Sequence, residues 1–202
     1  MKLAITTAAA AMLSLAAAPV SHAQEPPPAT EAGASMLALV NLPASSGARL
    51  TVTSPAFATG GDIPFENTQY KGNIFPGLSW TKGPAATKAY VVIMQDGDAI
   101  RNGAPIFHWS LLNVPASVTK LDAAMAAPPA GAEYGPNMRG ASQAYMGPHT
   151  PAGPKHRYHL QVFALDAALP HNVASYDALT AAMKGHVLAS GELIGLGQAP
   201  PK

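Results

Sequence analysis

The sequence predicts a mainly β protein with one folded domain, and three observations support this class. Of its 202 residues, 48% are hydrophobic and only 11% are charged, which is typical of a globular chain with a buried core. The chain contains 18 Gly and 20 Pro, which divide it into short segments joined by turns. Several of these segments are apolar or alternating runs rich in β-branched and aromatic residues, which favours strands.

The individual strands follow from these runs. Leu50 and Val52 alternate with threonines, which predicts a strand with one buried face. The continuous apolar run at 90–94 is typical of a strand that is buried on both faces. Further strands are predicted at 108–114, at 156–165 and from residue 187 onward.

Two other segments are not predicted to be strands. A helix is predicted at 176–184, because Leu179 and Met183 lie four residues apart and Gly185 is a typical C-terminal stop. The segment at 126–154 is rich in Gly and Pro, which predicts a long loop. Such loops often carry function.

Residues 1–23 are predicted to be a secretory signal peptide. Lys2 precedes an apolar run at 8–18, and small residues precede a cleavage site between Ala23 and Gln24. The run is shorter than the roughly 20 residues that a membrane-spanning helix needs, so no transmembrane segment is predicted. We therefore expect a periplasmic or secreted protein.

The rest of the chain is predicted to contain a lead-in and one domain. Residues 24–48 are rich in Pro and Ala, which predicts a flexible segment, although the apolar stretch at 36–40 is able to dock on the body. The single domain is predicted to span 49–202.

Charge and cysteine content narrow the function classes. Removal of Lys2 with the leader would leave equal numbers of basic and acidic residues, so the sequence has no basic excess of the kind that nucleic-acid binding requires. The sequence contains no Cys, which excludes disulfides, thiol chemistry and lipid attachment to a cysteine.

Polar side chains cluster at the predicted ends of the strands. Asp96 and Asp98 follow the run at 90–94, and residues two apart in a strand face the same side. The strand at 156–165 begins polar on one face and becomes apolar, as expected where a core opens into a pocket. If the strand ends meet, one cluster contains Asp96, Asp98, His108, His156 and Tyr158. Spacing alone favours simpler interpretations, namely ordinary turn acids and a hydrogen-bonded core histidine.

Four ordered motifs in the sequence resemble those of a known family. They are NIFPGLSW at 73–80, which resembles N-x-S-P-x-L-x-W; DGDA at 96–99 with HW at 108–109, which resembles D-P-D-A-P with H-W; YMGPHTPAGPKHRY at 145–158, which resembles Y-x-G-x-x-P-P-x-G-x-x-H-R-Y; and AMKGHVLA at 182–189, which resembles a helix-to-strand ending. Together they give the sequence a resemblance to the phosphatidylethanolamine-binding protein (PEBP) family, in its bacterial Raf-kinase-inhibitor-like (YbhB/YbcL-like) branch. The resemblance spans about 49–197.

The resemblance implies a β-sandwich with a large antiparallel sheet, a smaller sheet and short peripheral and C-terminal helices. It also implies a small pocket at one end of the sheet that binds phosphate or a phosphoryl head group. Carried over position by position, the pocket is lined by Asp96, Asp98, His108, Pro151, His156 and Tyr158, with Trp80 as a wall. Arg157 is implied to be a structural residue tied to the aspartate loop.

The sequence departs from the family pattern at three positions near the implied pocket. Gly97 and Ile100 replace prolines, which predicts a loop that is less rigid or turns differently. Phe75 replaces a serine and is expected to narrow or cover the pocket.

The resemblance therefore implies an exported, non-catalytic protein that binds a small anionic or phosphoryl-containing ligand, a membrane lipid head group included, without a cofactor or a metal. Two alternatives stay open: a protein-interaction module that inhibits an extracytoplasmic enzyme, and, less favoured, a metal-dependent hydrolase that uses the Asp and His cluster. The sequence contains no H-E-x-x-H, G-x-S-x-G or P-loop motif. Bacterial relatives also imply a homodimer.

Overall fold

A computed structural model describes residues 24–201, and these residues form a mainly β fold with two sheets. The predicted signal peptide at 1–23 lies outside the described residues. The strands are β1 (Ala48–Arg49), β2 (Val52–Thr53), β3 (Leu78–Trp80), β4 (Ala89–Arg101), β5 (Ala104–Pro115), β6 (Lys120–Leu121), β7 (Glu133–Tyr134), β8 (His156–Leu165) and β9 (Val187–Gly197). The helices are α1 (Ala38–Asn41) and α2 (Tyr176–Met183), with 3-10 turns at Ala34–Met36 and Phe65–Asn67.

The large sheet has the strand order β1-β9-β8-β4-β5-β7, and the small sheet has the order β2-β3-β6. All neighbours in the large sheet are antiparallel except β1 and β9, which run parallel, so the sheet is mixed rather than wholly antiparallel. The exception arises because β1 and β9 are not joined by a hairpin: nearly the whole domain lies between them.

Strand β4 lies at the centre of the large sheet and is buried on both faces. Tyr90, Val92 and Met94 pack toward the small sheet, whereas Val91 and Ile93 pack toward α1 and α2. Two cores therefore lie on opposite faces of one sheet, which explains why this run is continuously apolar rather than alternating.

Strands β4 and β5 extend beyond the predicted runs because they form one hairpin. Its turn is Asn102-Gly103, with φ values of 53° and 79°. Both residues have positive φ, as a type I′ turn requires, and Asn-Gly is the sequence that favours this turn most strongly. The segment between Asp98 and His108 is therefore mostly strand rather than loop.

Residues 24–42, which we call the N-terminal strap, pack against the sheet instead of forming a flexible lead-in. Helix α1 has no capping side chain of its own. Instead, its first free N–H groups donate to the sheet: Ala38 N to Gln95 Oε1 at 2.8 Å, and Leu39 N to Gln161 Oε1 at 2.6 Å. The composition of the strap could not reveal these partners, which lie 57 and 122 residues away along the chain. No helix within 24–201 is long and apolar enough to cross a membrane.

Candidate functional site

A cavity of about 450 Å³ opens at one end of the large sheet, where β4 ends and β5 and β8 begin. The register brings these strand ends together, because Asp96 of β4 pairs with Ile106 of β5 and with Tyr158 of β8. Asp96, His108 and His156 therefore lie close together, although Asp96 and His108 are inside β4 and β5 rather than at the strand ends where the sequence placed them. Of the residues predicted to form a site, those that line the cavity are Asp96, His108, Pro151 and His156.

His156 and Asp96 form a hydrogen-bonded pair on the cavity wall. The Nδ1 atom of His156 lies 2.9 Å from Asp96 Oδ2, and the Asp96 side chain is only 3% exposed. Asp96 Oδ1 also accepts hydrogen bonds from the backbone N–H groups of Asp98 and Ala99. The hydrogen bond to Asp96 raises the pKa of His156, partly opposed by burial, so the charged ring is favoured. The charged ring has an Nε2–H group left to donate to a ligand.

His108 has the opposite electrostatic character. Its side chain is almost fully buried, and its Nδ1 atom lies 3.1 Å from the carbonyl oxygen of Gly147. Burial lowers the pKa of His108, although Asp96 and the carbonyl partly oppose this effect. The cavity is therefore lined by one imidazole that favours its charged form and one that favours its neutral form.

Asn73, the first residue of the motif at 73–80, supports the position of His108 indirectly, through Gly147. Asn73 adopts a left-handed conformation with φ of 51°, which Asn tolerates better than most residues. Its amide donates to the Tyr145 carbonyl at 2.7 Å and accepts from the Gly147 N–H at 2.8 Å. This pairing fixes the carbonyl of Gly147 to which the His108 ring is bound.

The rim of the cavity carries two cations that the sequence motifs did not identify, Arg101 and Arg139. Both side chains are exposed, and Arg139 Nη2 donates to Gln69 Oε1 at 3.0 Å. Two signals in the sequence could have found them. Arg101 immediately precedes the Asn-Gly turn, and Arg139 lies in the long Gly- and Pro-rich loop.

Apolar side chains complete the walls, and these are Ile100, Ile106, Met138 and Met146. His149 also lines the cavity and stacks on Tyr70 with ring centres 4.6 Å apart. Ile100 and Met138 are themselves exposed at the rim. Low-polarity walls strengthen each hydrogen bond to a bound anion.

Asp98 does not face the cavity. The pairing of β4 with β5 is irregular between Asp96 and Ile100, so Asp96 and Asp98 do not share a face as the strand period predicted. Asp98 instead accepts hydrogen bonds from Arg157: from its N–H at 2.7 Å, from Nε at 2.9 Å and from Nη2 at 2.8 Å. The expectation that Arg157 is a structural residue tied to the aspartate loop is confirmed.

Tyr158 lies behind the cavity wall. Its side chain is fully buried, its ring is 5.2 Å from that of His108 in an edge-to-face arrangement, and its hydroxyl lies 3.0 Å from Thr150 Oγ1. Burial raises the pKa of this phenol well above its usual value. Tyr158 therefore supports His108 rather than lining the cavity.

Trp80 and Phe75 also lie away from the cavity, in the core between the two sheets. Trp80 packs against Tyr90 at 5.4 Å, and Tyr90 precedes Asp96 by six residues, or about 20 Å of strand. Phe75 packs between Trp109 and Tyr145 and neither narrows nor covers the cavity. Trp80 was assigned to the pocket wall because it matches a family motif, and a motif match gives no information on the direction of a side chain.

The cavity combines hydrogen-bond donors with positively charged groups on its lining. Within 24–201, the His, Asp and Glu side chains form no group of three that could hold a metal ion. The charged imidazole of His156 and the guanidinium groups at the rim place positive charge around the cavity. The Asp96 carboxylate, in contrast, already takes part in three hydrogen bonds.

Comparison with known proteins agrees with this architecture. The UPF0098 protein of Methanothermobacter thermautotrophicus is 35% identical over 151 residues, which cover 73% of this chain and 97% of the relative. LppC of Mycobacterium tuberculosis, whose name describes a lipoprotein, is 34% identical over 129 residues, which cover 63% of this chain and 61% of LppC.

The fold is also similar to a solved structure, that of YbcL of E. coli, described as a member of the mammalian PEBP family. The TM-score is 0.68 at 26% sequence identity, and the match covers 76% of this chain and all of YbcL. Residues 53–198 match the sequence model of the family described as phosphatidylethanolamine-binding protein. The chain therefore belongs to the phosphatidylethanolamine-binding protein family.

Proposed function

We propose that this protein is an exported, non-catalytic binding protein whose cavity takes a small oxyanion, either phosphate or the phosphoryl group of a larger ligand. The observation that carries the proposal is the placement of His156, whose charged form is favoured by Asp96, in a small cavity rimmed by Arg101 and Arg139. Three positive groups facing one cavity favour an anion, and guanidinium groups suit phosphoryl oxygens in particular.

Two features support binding rather than catalysis. The Tyr158 hydroxyl is buried, lies within hydrogen-bond distance of Thr150, and has a raised pKa, so it is a poor proton donor or nucleophile at neutral pH. The Asp96 carboxylate is occupied by three hydrogen bonds, two with the backbone N–H groups of Asp98 and Ala99 and one with the His156 ring. The family is also named for binding.

Export is proposed from the predicted signal peptide and from the relative LppC, which is named as a lipoprotein. Cleavage before Gln24 would leave a mature N-terminus on the fold itself, because the Gln24 side chain donates to the carbonyls of Pro151 and Pro154. Cell fractionation followed by intact-mass measurement tests this: we expect the extracytoplasmic protein to begin at Gln24. A cytoplasmic protein that retains residues 1–23 contradicts it.

Isothermal titration of the purified protein with inorganic phosphate tests the binding proposal. We expect saturable binding at one site, and we expect His156→Ala to weaken it at least about tenfold, because a charged donor is lost. His171→Ala is the matched control, since His171 is 74% exposed and pairs with Glu133 instead of lining the cavity. No saturable binding, or equal effects of the two substitutions, overturns the proposal.

The implied homodimer stays a prediction, which light scattering at several protein concentrations tests.

A further inference from the structure

The ring of His108 is held in one tautomer by the backbone. Its Nδ1 atom lies 3.1 Å from the Gly147 carbonyl oxygen, and a carbonyl can only accept, so Nδ1 carries the hydrogen. That carbonyl is itself fixed, because Gly147 N–H donates to Asn73 Oδ1 and the carbonyl also accepts from Gln69 Nε2 at 2.7 Å. The nitrogen left for the cavity is therefore Nε2, and in the neutral ring Nε2 is a hydrogen-bond acceptor.

Charging this ring to make Nε2 a donor is opposed by its environment. His108 is 4% exposed, and burial is the largest influence on it. The titratable and charged groups that line the same cavity are Asp96, Arg101, Arg139, His149 and His156. Only one of these is an acid, and it is already bound to His156. The neutral form of His108 is therefore the one that faces a ligand.

The cavity consequently presents donors and one acceptor. His156, when charged, offers an N–H, and the guanidinium groups of Arg101 and Arg139 offer N–H donors at the rim. His108 offers a lone pair. An oxyanion without a hydrogen places a negative oxygen against that lone pair, which is repulsive, whereas an oxyanion with one O–H group satisfies it.

We propose that the cavity selects oxyanions that carry a proton, inorganic phosphate or a phosphate monoester in its singly charged form, over sulfate and phosphodiesters, because His108 accepts a hydrogen bond from the ligand. This inference rests on the proposed function and specifies its ligand class. Sulfate and phosphodiesters carry no proton at neutral pH, whereas inorganic phosphate carries at least one. A phosphate monoester carries one below a pKa of about 6.

Titration calorimetry at about pH 7 with phosphate and with sulfate tests the selectivity. We expect phosphate to bind at least about tenfold tighter than sulfate, the cost of leaving one buried acceptor unpaired. His108→Leu removes the acceptor, so it should weaken phosphate selectively and bring the two affinities close together. The matched control is His156→Gln, which removes a donor shared by both anions, so it should weaken both and preserve their ratio.

A second pair of probes excludes an ammonium group as the hydrogen donor. Phosphoethanolamine is a monoester and glycerophosphoethanolamine is a diester, but both carry the same ammonium group. At about pH 6, roughly half of a phosphate monoester is protonated. We therefore expect phosphoethanolamine to bind several-fold more tightly than glycerophosphoethanolamine at this pH. This comparison needs only the wild-type protein, so it holds even if His108→Leu fails to fold.

Three results overturn the inference while leaving the proposed function in place. They are equal affinity for phosphate and sulfate, equal affinity for the monoester and the diester, and a phosphate preference that survives in folded His108→Leu. If neither phosphate nor sulfate binds the wild-type protein, the proposed function itself fails.

Discussion

At the scale of single residues, Asp96 is the group on which the geometry of the cavity depends. One of its oxygens accepts hydrogen bonds from the backbone N–H groups of Asp98 and Ala99 within β4, and the other orients the His156 ring. Within the proposed site, the role of Asp96 is to favour the charged form of the His156 imidazole rather than to bind the ligand itself.

The change Asp96→Asn should lower the pKa of His156 toward its ordinary value, since the amide is uncharged and cannot stabilise the imidazolium in the same way. We also expect phosphate affinity at about pH 7 to fall by roughly tenfold. NMR titration of the His156 ring protons measures the first effect, and calorimetry measures the second.

A suitable control is Asp122→Asn, because the Asp122 side chain is 80% exposed in a surface pair with Lys120. That variant should leave both the His156 titration and the phosphate affinity unchanged. An unaltered His156 titration in Asp96→Asn would contradict the role given to Asp96.

The sequence could predict which cavity residues approach each other but not the direction of every side chain. Asp96, His108 and His156 lie on three strands, β4, β5 and β8, that the antiparallel register brings together. Asp98 and Trp80 were placed in the pocket, whereas Asp98 binds Arg157 and Trp80 packs in the core. The strand period fails for Asp98 because β4 is irregular after Asp96, at the position of Gly97.

At the scale of elements, the strap packs closely against the part of β4 around Gly97. Glu31 of the strap lies so close to Gly97 that a Cβ atom there would be 1.7 Å from Glu31 Oε1. The strap N–H of Gly33 also donates to the Gly97 carbonyl at 2.8 Å. Gly97 stands where the resembled motif has Pro, and Glu31 lies outside the family-matched residues 53–198. The glycine is thus explained by the strap.

This fit predicts a non-additive pair of substitutions. Gly97→Ala should destabilise the protein by roughly 2 kcal/mol, because the new methyl group displaces the Glu31 carboxylate. In a Glu31→Ala background the same change should cost at least about 1 kcal/mol less, since the obstruction is gone. Urea unfolding of the four proteins measures this coupling. Additivity within about 0.5 kcal/mol would argue against the fit.

His159 of β8 lies between two carboxylates, that of Glu31 in the strap and that of Glu192 in β9. Its Nε2 atom lies 2.7 Å from Glu31 Oε1 and its Nδ1 atom 2.7 Å from Glu192 Oε2, while Arg157 Nη1 lies 3.7 Å from the other Glu31 oxygen. Burial lowers the pKa of His159, but hydrogen bonds and charge from Glu192 and Glu31 outweigh it and the pKa is raised. The charged ring is hydrogen-bonded to Glu192 and attracted by the charge of Glu31, whereas the neutral ring loses the charge attraction to both carboxylates.

A raised folded-state pKa contributes stability below the unfolded value of about 6.5, and this contribution is lost as pH rises through the folded value. We therefore expect His159→Gln to cost roughly 2 kcal/mol at about pH 6 and less at about pH 9. Urea unfolding at both pH values measures the difference. The exposed His171→Gln should cost no more than about 0.5 kcal/mol at either pH. A pH-independent cost at His159 would contradict the ion-pair role.

At the scale of the whole molecule, the central sheet has a separate core on each face. The sequence predicted the long strands β4 and β8 because each contains a run of apolar and β-branched residues that is buried on both faces. It predicted α2 and allowed the stretch at 36–40 to dock, but it could not predict that the whole strap packs on the second face. The cover of that face includes the strap, whose buried residues Leu37, Ala38 and Leu42 are too few to stand out from a Pro- and Ala-rich stretch. Its order depends on tertiary partners far along the chain, among them Gln95, Gln161 and His159.

Truncation from the N-terminus distinguishes a structural strap from a flexible lead-in. Three proteins that begin at residues 24, 31 and 47 can be compared by urea unfolding at about pH 7, and all three retain β1. The protein that begins at 31 keeps Glu31 and α1, so it should lose no more than about 1 kcal/mol. The protein that begins at 47 exposes the apolar second face and removes the strap N–H groups that donate to Gln95 Oε1 and Gln161 Oε1. It should lose about 4 kcal/mol or more. If residues 24–48 were a flexible lead-in, as composition predicts, the three unfolding curves would coincide, because an unpacked segment contributes no free energy to the folded state.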